Sequence, residues 1–377
     1  MEKEYKSPIF EIKEKSNILK YDNNIKSSIY IRNEQINLGN NSFLIQSKLK
    51  LKLLDDERIK KNKIYLIINN FNDTIPDYEN DLQKYSMKYF NTDIKLTYSF
   101  YEYWEIISIF NIMDKDNISI DINDNTNDFT KALIFYKNKF NKSDNDIFRI
   151  ITNKEFKDIK DKRYFEYNIK ENFDNFEFRN IDDIMNIISK YKKKINILNC
   201  NNYNKLLINK EQHYYKTFIG FILLSLNILK NNGSFICKIY DIYTDVTVKI
   251  ISILSNFYEN VYIYKPYTTY KFTPDKYIIC KKLKIDSTFE KNRNKIETLF
   301  KNIKKDYVYD IFTEFNISPE LFNNIKKINI YYSNNEFVEN NKIITYINNK
   351  EYFGEEYHEY KEEQINATKF WLKKFYK

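Results

Sequence analysis

The stretch that decides the fold is EQHYYKTFIGFILLSLNILKNNGSFICKIYDIYTDVTVKIISILSNFYENVYIYKPYTTYKFTPDKYIICKKLK, residues 211–284. Its first twenty residues are apolar at helical spacing, and Asn231-Asn232-Gly233 follows them as a typical C-terminal helix cap. The segments after the cap predict a strand, a helix and two strands: SFICKIY (234–240), TDVTVKIISILSNFY (244–258), VYIYKP (261–266) and KYIICKKLK (276–284). Such alternation predicts an α/β sheet with helices on both faces.

The same pattern extends upstream of this stretch. YEYWEIISIFNIM (101–113) predicts a buried helix and ISIDI (118–122) a strand. IDDIMNIISKYKKK (181–194) has the apolar spacing of an amphipathic helix, and INIL (195–198) after it predicts a short buried strand. We therefore expect an α/β domain over residues 81–290.

The two ends of the chain predict extensions to this domain. In the N-terminal extension, residues 1–80, LIQSKLKLKLL (44–54) fits a strand or part of a helix, and IYLIINNF (64–71) reads as a short β-rich run. In the C-terminal extension, residues 291–377, the sequence is mostly helical. It has strand-like pieces at 328–332 and 342–347 and a last helix that carries Trp371.

Composition excludes several classes of protein. The chain has 377 residues, a net charge of +9 and only 4 Gly, so no glycine-rich nucleotide loop or hydrolase elbow can be built. Three widely spaced cysteines argue against structural zinc and favour a reducing compartment. The 34 Tyr and 29 Phe accompany abundant Lys, Asn and Ile, all of which AT-rich codons encode. We infer an AT-rich genome, so the aromatic residues need not indicate base-stacking platforms, although the basic excess is compatible with an anionic partner.

Targeting signals do not appear in the sequence. MEKEYKSP at the start has no apolar core, and the most apolar stretch, FIGFILLSLNIL (218–229), is shorter than the roughly 20 residues that span a bilayer. We expect a cytoplasmic protein without a membrane partner, with a viral factory or a virion as compartments left open.

Three matches within 211–284 carry a resemblance to a known family. Helix, NNGSFICKIYD, helix and VYIYKPYTTYKFTPDKYIICKKLK together resemble the C-terminal half of the FtsJ-like RNA 2′-O-methyltransferases, above all the cap-specific forms of large DNA viruses and eukaryotes. Lys238 occupies the position of the family's central catalytic lysine, and Lys265-Pro266 matches its KP pair. Asp275 stands where the family has a glutamate.

The resemblance implies a fold and a chemistry. The fold would be a Rossmann-like methyltransferase sheet flanked by helices, with the donor S-adenosylmethionine on a Gly-rich turn where backbone approaches the ligand closely. A Lys–Asp–Lys–Glu tetrad would activate the ribose 2′-hydroxyl through a lysine of lowered pKa. Lys88, in KYSMKYF, is the candidate for the first lysine of that tetrad.

The sequence departs from this pattern at the donor site. The Gly-rich loop aligns near Tyr101-Glu102-Tyr103-Trp104, and the tetrad aspartate aligns where Asn199, Cys200 and Asn201 stand. We therefore expect that methyl transfer has been lost and that no cofactor is bound. S-adenosylmethionine is the expected cofactor only of an active form.

The function that follows is that of a pseudoenzyme in a viral mRNA capping system. It would bind capped RNA, or act as a regulatory subunit on a capping-enzyme or methyltransferase partner, similar in logic to the small subunit of poxvirus capping enzymes. One alternative is an active cap 2′-O-methyltransferase, and another is a structural or virion scaffold.

Each candidate residue also has a plain structural interpretation. Lys238 could place its amine in water at a sheet edge. Asp275 follows Pro274 and could simply be a turn residue. Lys88 could be a solvated lysine on a helix surface.

Overall fold

A computed structural model describes residues 5–28, 36–62, 64–71, 89–90, 96–123, 126–152, 159, 161–168, 180–201, 210–303, 307–350 and 354–376. Within these ranges eight strands form one sheet and two form a second. The strands are β1 (Ile9–Glu11), β2 (Ile25–Ser28), β3 (Ile118–Asn123), β4 (Ile147–Thr152), β5 (Tyr164–Asn168), β6 (Ile195–Asn201), β7 (Leu229–Ile239), β8 (Tyr258–Tyr264), β9 (Lys276–Leu283) and β10 (Tyr307–Ile311).

Ten α-helices accompany these strands in the described part of the chain. They are α1 (Leu38–Lys50), α2 (Glu57–Asn62), α3 (Tyr98–Phe110), α4 (Asp128–Phe140), α5 (Ile181–Tyr191), α6 (Lys210–Ile228), α7 (Asp245–Phe257), α8 (Phe289–Asn302), α9 (Pro319–Asn349) and α10 (Glu355–Phe375). The residues of the expected helix at 101–113 and strand at 118–122 lie mainly in α3 and β3.

The order of strands in the large sheet is β1-β8-β9-β7-β6-β3-β4-β5. Neighbours from β5 to β7 pair in parallel, whereas β9 runs antiparallel to both β7 and β8. The chain order reverses direction between β3 and β6. Open α/β sheets bind ligands at such a switch point, outside the carboxyl ends of the strands.

Helices cover both faces of the sheet, as the alternating sequence predicts. One apolar cluster joins α5, α6, α7 and α8 to the sheet, and a second joins α3, α4 and α10 to its other face. The C-terminal helix α10 therefore completes the same layer as α3 and α4. This arrangement is that of a Rossmann-like methyltransferase fold and confirms the expected fold class.

Segments from the two ends of the chain pack on this sheet. β1 adds to its edge by pairing antiparallel with β8, and β2 pairs with β10 in the small sheet. The segment 44–54, which the sequence left open, lies in α1 and in a 3₁₀ helix, Leu51–Asp55.

The strand expected at 64–71 is wrong, because Ile64–Ile68 forms a 3₁₀ helix. Its buried residues Leu66, Ile67 and Ile68 pack against Ile343 and Tyr346 of α9. The apolar run that resembled a strand thus fills the space between two extensions of the sheet.

The strand-like pieces at 328–332 and 342–347 are also wrong, because both lie inside α9. The helix begins where the Ser318 side chain accepts a hydrogen bond from the amide of Leu321, with Pro319 in its first turn. Its buried residues recur every three or four positions, as at Leu321, Ile325 and Ile328. This helical period overrides the β-branched composition of the short runs.

Asn231-Asn232-Gly233 does not cap α6, which ends at Ile228. The three residues belong to the start of β7, where the pairing with β6 shifts register between Ile195 and Ile197. Asn232 has a φ of 64° in the left-handed region. A Cβ on Gly233 would lie 2.9 Å from the carbonyl oxygen of Lys230, so this irregular strand start requires glycine.

Candidate functional site

Lys238 is the penultimate residue of β7 and lies opposite Tyr277 of β9. Its side chain is 14% exposed, and its Nζ lies 3.1 Å from Oδ2 of Asp275. The ammonium also lies 5.7 Å from the centroid of the Tyr277 ring. The structure thus brings together two of the three candidate residues, while the third, Lys88, falls outside the described residues.

The charge state of Lys238 follows from its neighbours. Burial alone would lower its pKa, but the carboxylates of Asp275 and Glu102 outweigh burial and raise the pKa above its ordinary value. A lysine must lose a proton before it can accept one from a ribose hydroxyl. The raised pKa favours the ammonium form of Lys238.

Glu102 is a site residue that the sequence interpretation missed. Its Oε2 accepts a hydrogen bond of 2.6 Å from the hydroxyl of Tyr277, and its Oε1 accepts one of 2.6 Å from Thr269. The carboxylate is buried and ties α3 to β9 and to the loop between β8 and β9. The sequence contained one signal for Glu102, because it is a charged residue in a helix predicted to be buried. A buried carboxylate needs polar partners, so its presence indicates a polar contact inside the protein.

The alignment of Tyr101–Trp104 with a donor loop is wrong, because these residues lie in the second turn of α3. All four side chains are buried, including the rings of Tyr101 and Trp104. A helix that is apolar on all sides is a buried helix. The turn at the donor position must instead follow β3, the strand beside the switch point.

The sequence between β3 and α4, residues 124–127, reads Asp-Asn-Thr-Asn and contains no glycine. The structure describes its second half, residues 126 and 127, and α4 begins immediately after it at Asp128. Asn127 and Asp128 are both 2% exposed. Side chains therefore occupy the position where a glycine would let backbone approach a ligand.

A buried polar network fills the carboxyl ends of β3 and β6. The amide of Asn199 donates to the Tyr103 hydroxyl (3.2 Å) and to Oδ1 of Asp121 (2.7 Å). The amide of Asn201 also donates to the Tyr103 hydroxyl, at 3.3 Å. The Tyr103 ring is fully buried and packs on Phe129 with centroids 5.1 Å apart.

This network bears on the cofactor that the fold implies. S-adenosylmethionine bound between the ends of β3 and β6 would compete with the hydrogen bonds from Asn199 to Tyr103 and Asp121. A buried carboxylate that loses its donors becomes strongly unfavourable. Among the described residues of this crevice, the network of Asp121, Asn199 and Tyr103 is unfavourable for the donor.

The register identifies which residue stands in the aspartate position. Cys200 pairs with Cys237, so Asn201 lies beside Lys238 on the neighbouring strand. The amide at this position carries no charge, and its hydrogen bond goes to Tyr103. Asn201 thus replaces the acid that would neighbour the lysine.

The charge state of the buried network predicts an unusual pH dependence of stability. Burial raises the pKa of Asp121 to about 7, against the hydrogen bonds from Asn199 and Thr130. A carboxyl whose folded pKa is raised binds its proton more tightly in the folded state. The contribution of Asp121 to the free energy of unfolding is fully present below its ordinary pKa of 3.8. It is lost as the pH rises through about 7. Urea unfolding should show that the free energy of unfolding of Asp121→Asn falls less steeply with pH between 5 and 7 than that of the unchanged protein. The two slopes should differ by up to about 1.4 kcal/mol per pH unit.

The control for this pH series is Asp286→Asn, at an exposed carboxyl whose pKa is lowered by hydrogen bonds from Thr288. This variant should keep the slope of the unchanged protein above pH 5. Identical slopes for all three proteins would contradict the raised pKa of Asp121.

A cavity of about 390 Å³ lies between α1, α9 and the loops that follow β7 and β8, and Pro274, the neighbour of Asp275 in the chain, is part of its lining. Aromatic and apolar side chains form much of its wall, including Tyr243 and Phe272. Its charged lining residues are Lys48, Lys52, Asp55, Glu211, Asp241 and Glu336. Four acids against two lysines make this the acid-rich cavity.

The carboxylates of the acid-rich cavity have defined partners. Glu336 is 3% exposed, and its Oε1 lies 2.9 Å from Nζ of Lys48. Burial would lower the pKa of Lys48, but Asp241 and Glu336 outweigh it and raise that pKa. Glu211 accepts hydrogen bonds from the backbone amides of Tyr243 (3.1 Å) and Thr244 (2.9 Å). Burial raises the pKa of Glu211 to about 7 and also raises the pKa of Glu336, and Asp241 lines the same wall.

Two kinds of feature are absent from the described residues. They contain no cluster of three or more His, Cys, Asp or Glu side chains that could hold a metal ion. Among the helices described, none is long and apolar enough to cross a bilayer.

The domain has a Rossmann-like methyltransferase fold. Residues 99–283 match the family model of the FtsJ-like methyltransferases. The segment contains β3 to β9 and α3 to α7, which is the sheet without its terminal extensions.

Curated relatives match shorter stretches. The human cap-specific mRNA (nucleoside-2′-O-)-methyltransferase 1 is 35% identical over 63 residues, which is 17% of this chain and 8% of the relative. The inactive cap-specific mRNA (nucleoside-2′-O-)-methyltransferase 1B of Caenorhabditis briggsae is 28% identical over 71 residues, 19% of this chain and 8% of the relative. An uncharacterized protein of Acanthamoeba polyphaga mimivirus is 28% identical over 154 residues, 41% of this chain and 42% of the relative. The matches thus span less than half of each relative.

Proposed function

We propose that this chain binds the capped end of mRNA within a capping system and no longer transfers a methyl group. The observation that carries the loss of transfer is the filled crevice, in which Tyr103, Asn199 and Asp121 occupy the carboxyl ends of β3 and β6. The raised pKa of Lys238 supports it, since an ammonium cannot act as a base. A named inactive relative shows that the family contains such proteins.

The acid-rich cavity supports binding of the cap itself. An N7-methylated guanine is flat and positively charged. Such a ligand favours aromatic walls and nearby carboxylates, which Tyr243, Phe272 and Asp241 supply. A volume of about 390 Å³ lies within the range of small-molecule sites.

The test is calorimetric titration of the full chain with S-adenosylmethionine, its demethylated product and two cap dinucleotides. We expect no binding of the donor or its product below about 1 mM, the upper range of typical KM values. The N7-methylated dinucleotide should bind with micromolar affinity and the unmethylated one about tenfold more weakly. Asp241→Asn should remove this preference, whereas Glu290→Gln, at an exposed position on α8, should retain it.

An active cap 2′-O-methyltransferase is the second candidate, and the Lys238–Asp275 pair at 3.1 Å favours it. Micromolar binding of the donor, with methyl transfer to capped RNA that Lys238→Met abolishes, would establish this alternative. The resemblance also suggests that an inactive chain would act as the regulatory subunit of a capping complex. Copurification with a capping-enzyme or methyltransferase subunit tests it.

A further inference from the structure

A second cleft, of about 110 Å³, lies on the other side of the loop between β8 and β9. It is enclosed by the N-terminal segment before β1, by residues 70 and 71, by that loop and by α9. Its lining residues are Tyr5, Lys6, Ser7, Pro8, Asn70, Phe71, Lys265, Pro266, Tyr267, Thr269, Lys271, Tyr331, Tyr332 and Asn335. We call this cleft the Tyr267 groove. Nine of these fourteen residues lie outside the segment 99–283.

The aromatic rings of the Tyr267 groove are held in place from behind. Tyr267 packs on Phe370 of α10 with centroids 5.6 Å apart, and Tyr5 packs on the same ring at 5.0 Å. On the opposite wall, Tyr331 packs on Phe10 of β1 at 5.7 Å. Rings that are already fixed lose little conformational entropy when a planar ligand stacks on them.

The charge of the groove is positive. Lys6 and Lys271 are exposed at its rim, and none of its fourteen lining residues is acidic. Lys374 adds a third cation, because its Nζ lies 4.5 Å from the Tyr267 ring centroid and donates to the Tyr267 hydroxyl at 2.7 Å. The groove therefore differs in sign from the acid-rich cavity.

Lys265 has a different role in the same groove. It is 8% exposed, and its Nζ donates to the carbonyl oxygens of Lys271 (3.3 Å) and Thr273. Burial lowers its pKa to about 8. These bonds hold the loop in the shape that presents Lys271 at the rim, so Lys265 is a positioning residue.

The groove and the acid-rich cavity lie on either side of one small pocket. Lys265 and Tyr332 line the groove and also line a small pocket between α9 and the loop. That pocket shares Asp241, Pro274 and Glu336 with the acid-rich cavity. The cavity and the groove thus lie next to each other along α9.

We propose that the Tyr267 groove binds the single-stranded RNA that follows the cap, with bases stacked on its tyrosines and phosphates paired with Lys6 and Lys271. The choice of RNA rests on the proposed function, whereas the preference for a single-stranded polyanion rests on the groove. Positive charge interleaved with fixed aromatic rings is the combination by which single strands are bound without sequence preference.

The test measures fluorescence anisotropy of an uncapped single-stranded RNA with three forms of the full chain. We expect Lys6→Gln/Lys271→Gln to weaken binding about tenfold at low salt. The slope of log affinity against log salt should fall by about 1.4 for two lost phosphate contacts. Tyr331→Ala should weaken binding about tenfold without changing that slope, because one stacking contact is lost. Lys192→Gln/Lys194→Gln, on an exposed turn before β6, is the control with the same charge change and should bind unchanged.

Several results would overturn this assignment. One is an equal effect of the control and groove variants, another is no detectable RNA binding, and a third is a polyglutamate that competes as well as RNA. Cap-dinucleotide affinity separates the two proposals, because groove variants should leave it unchanged. If RNA binding depends on the groove but no cap dinucleotide binds, the proposed cap-binding function is refuted, and the groove remains assigned as an RNA-binding site.

Discussion

Replacing Asp275 with alanine should lower the free energy of unfolding by about 3 kcal/mol. Lys238 would then be a mostly buried ammonium that has lost its nearest carboxylate, at 3.1 Å. Removing one partner of a buried ion pair costs about 3–5 kcal/mol, because the remaining charge stays desolvated. Asp275 is 23% exposed, and Glu102 remains nearby, so we expect the lower end of that range. Urea unfolding at neutral pH measures the change.

Lys282 and Glu259 provide the matched control for this prediction. Their Nζ and Oε1 lie 3.0 Å apart, but the side chains are 53% and 44% exposed. Glu259→Ala should therefore change stability much less than Asp275→Ala does. A double variant, Lys238→Met/Asp275→Leu, should recover most of the loss, since no unpaired charge remains. Equal effects of Asp275→Ala and Glu259→Ala would contradict the buried pair.

The Lys238–Asp275 pair also shows how far the sequence could lead. Lys238 lay in an apolar strand and Asp275 followed a proline, and the resemblance over 211–284 was enough to bring the two together. The antiparallel pairing of β7 with β9 is the physical reason, because it places Lys238 opposite Tyr277, two residues beyond Asp275. Local sequence patterns also predicted the helix and strand periods of this segment well.

The parts that the sequence could not give depend on long-range packing. Each of the segments 64–71 and 342–347 resembles a strand when its own sequence is considered alone. In the structure, residues from both segments lie in helical turns that pack on each other. The alignment of Tyr101–Trp104 with a loop conflicted with the apolar helix pattern of the same residues, and the helix was correct. Tyr103 meets Asn199 and Asn201 across a separation of nearly a hundred residues, which no local pattern encodes.

Replacing Glu105 with alanine should cause a larger loss, of about 4 kcal/mol or more. This fully buried carboxylate accepts five hydrogen bonds. Its Oε1 accepts from the amide (3.2 Å) and hydroxyl (2.9 Å) of Thr268 and from the indole of Trp371 (2.9 Å). Its Oε2 accepts from the Tyr264 hydroxyl (3.0 Å) and the Tyr267 amide (2.7 Å). Each buried donor left without an acceptor costs about 1–3 kcal/mol.

The loss should be local as well as global, because Glu105 joins α3 to α10 and to the loop that forms the Tyr267 groove. In hydrogen exchange, the amides of Tyr267 and Thr268 should lose protection before the strands of the sheet do. Glu359→Ala, at an exposed position on α10, is the matched control and should change stability by less than about 0.5 kcal/mol. A Glu105→Ala protein with unchanged stability, or with both amides still protected, would show that the carboxylate does not hold this loop. Weakened RNA binding by the same variant at a temperature where it remains folded would link the buried carboxylate to the shape of the groove.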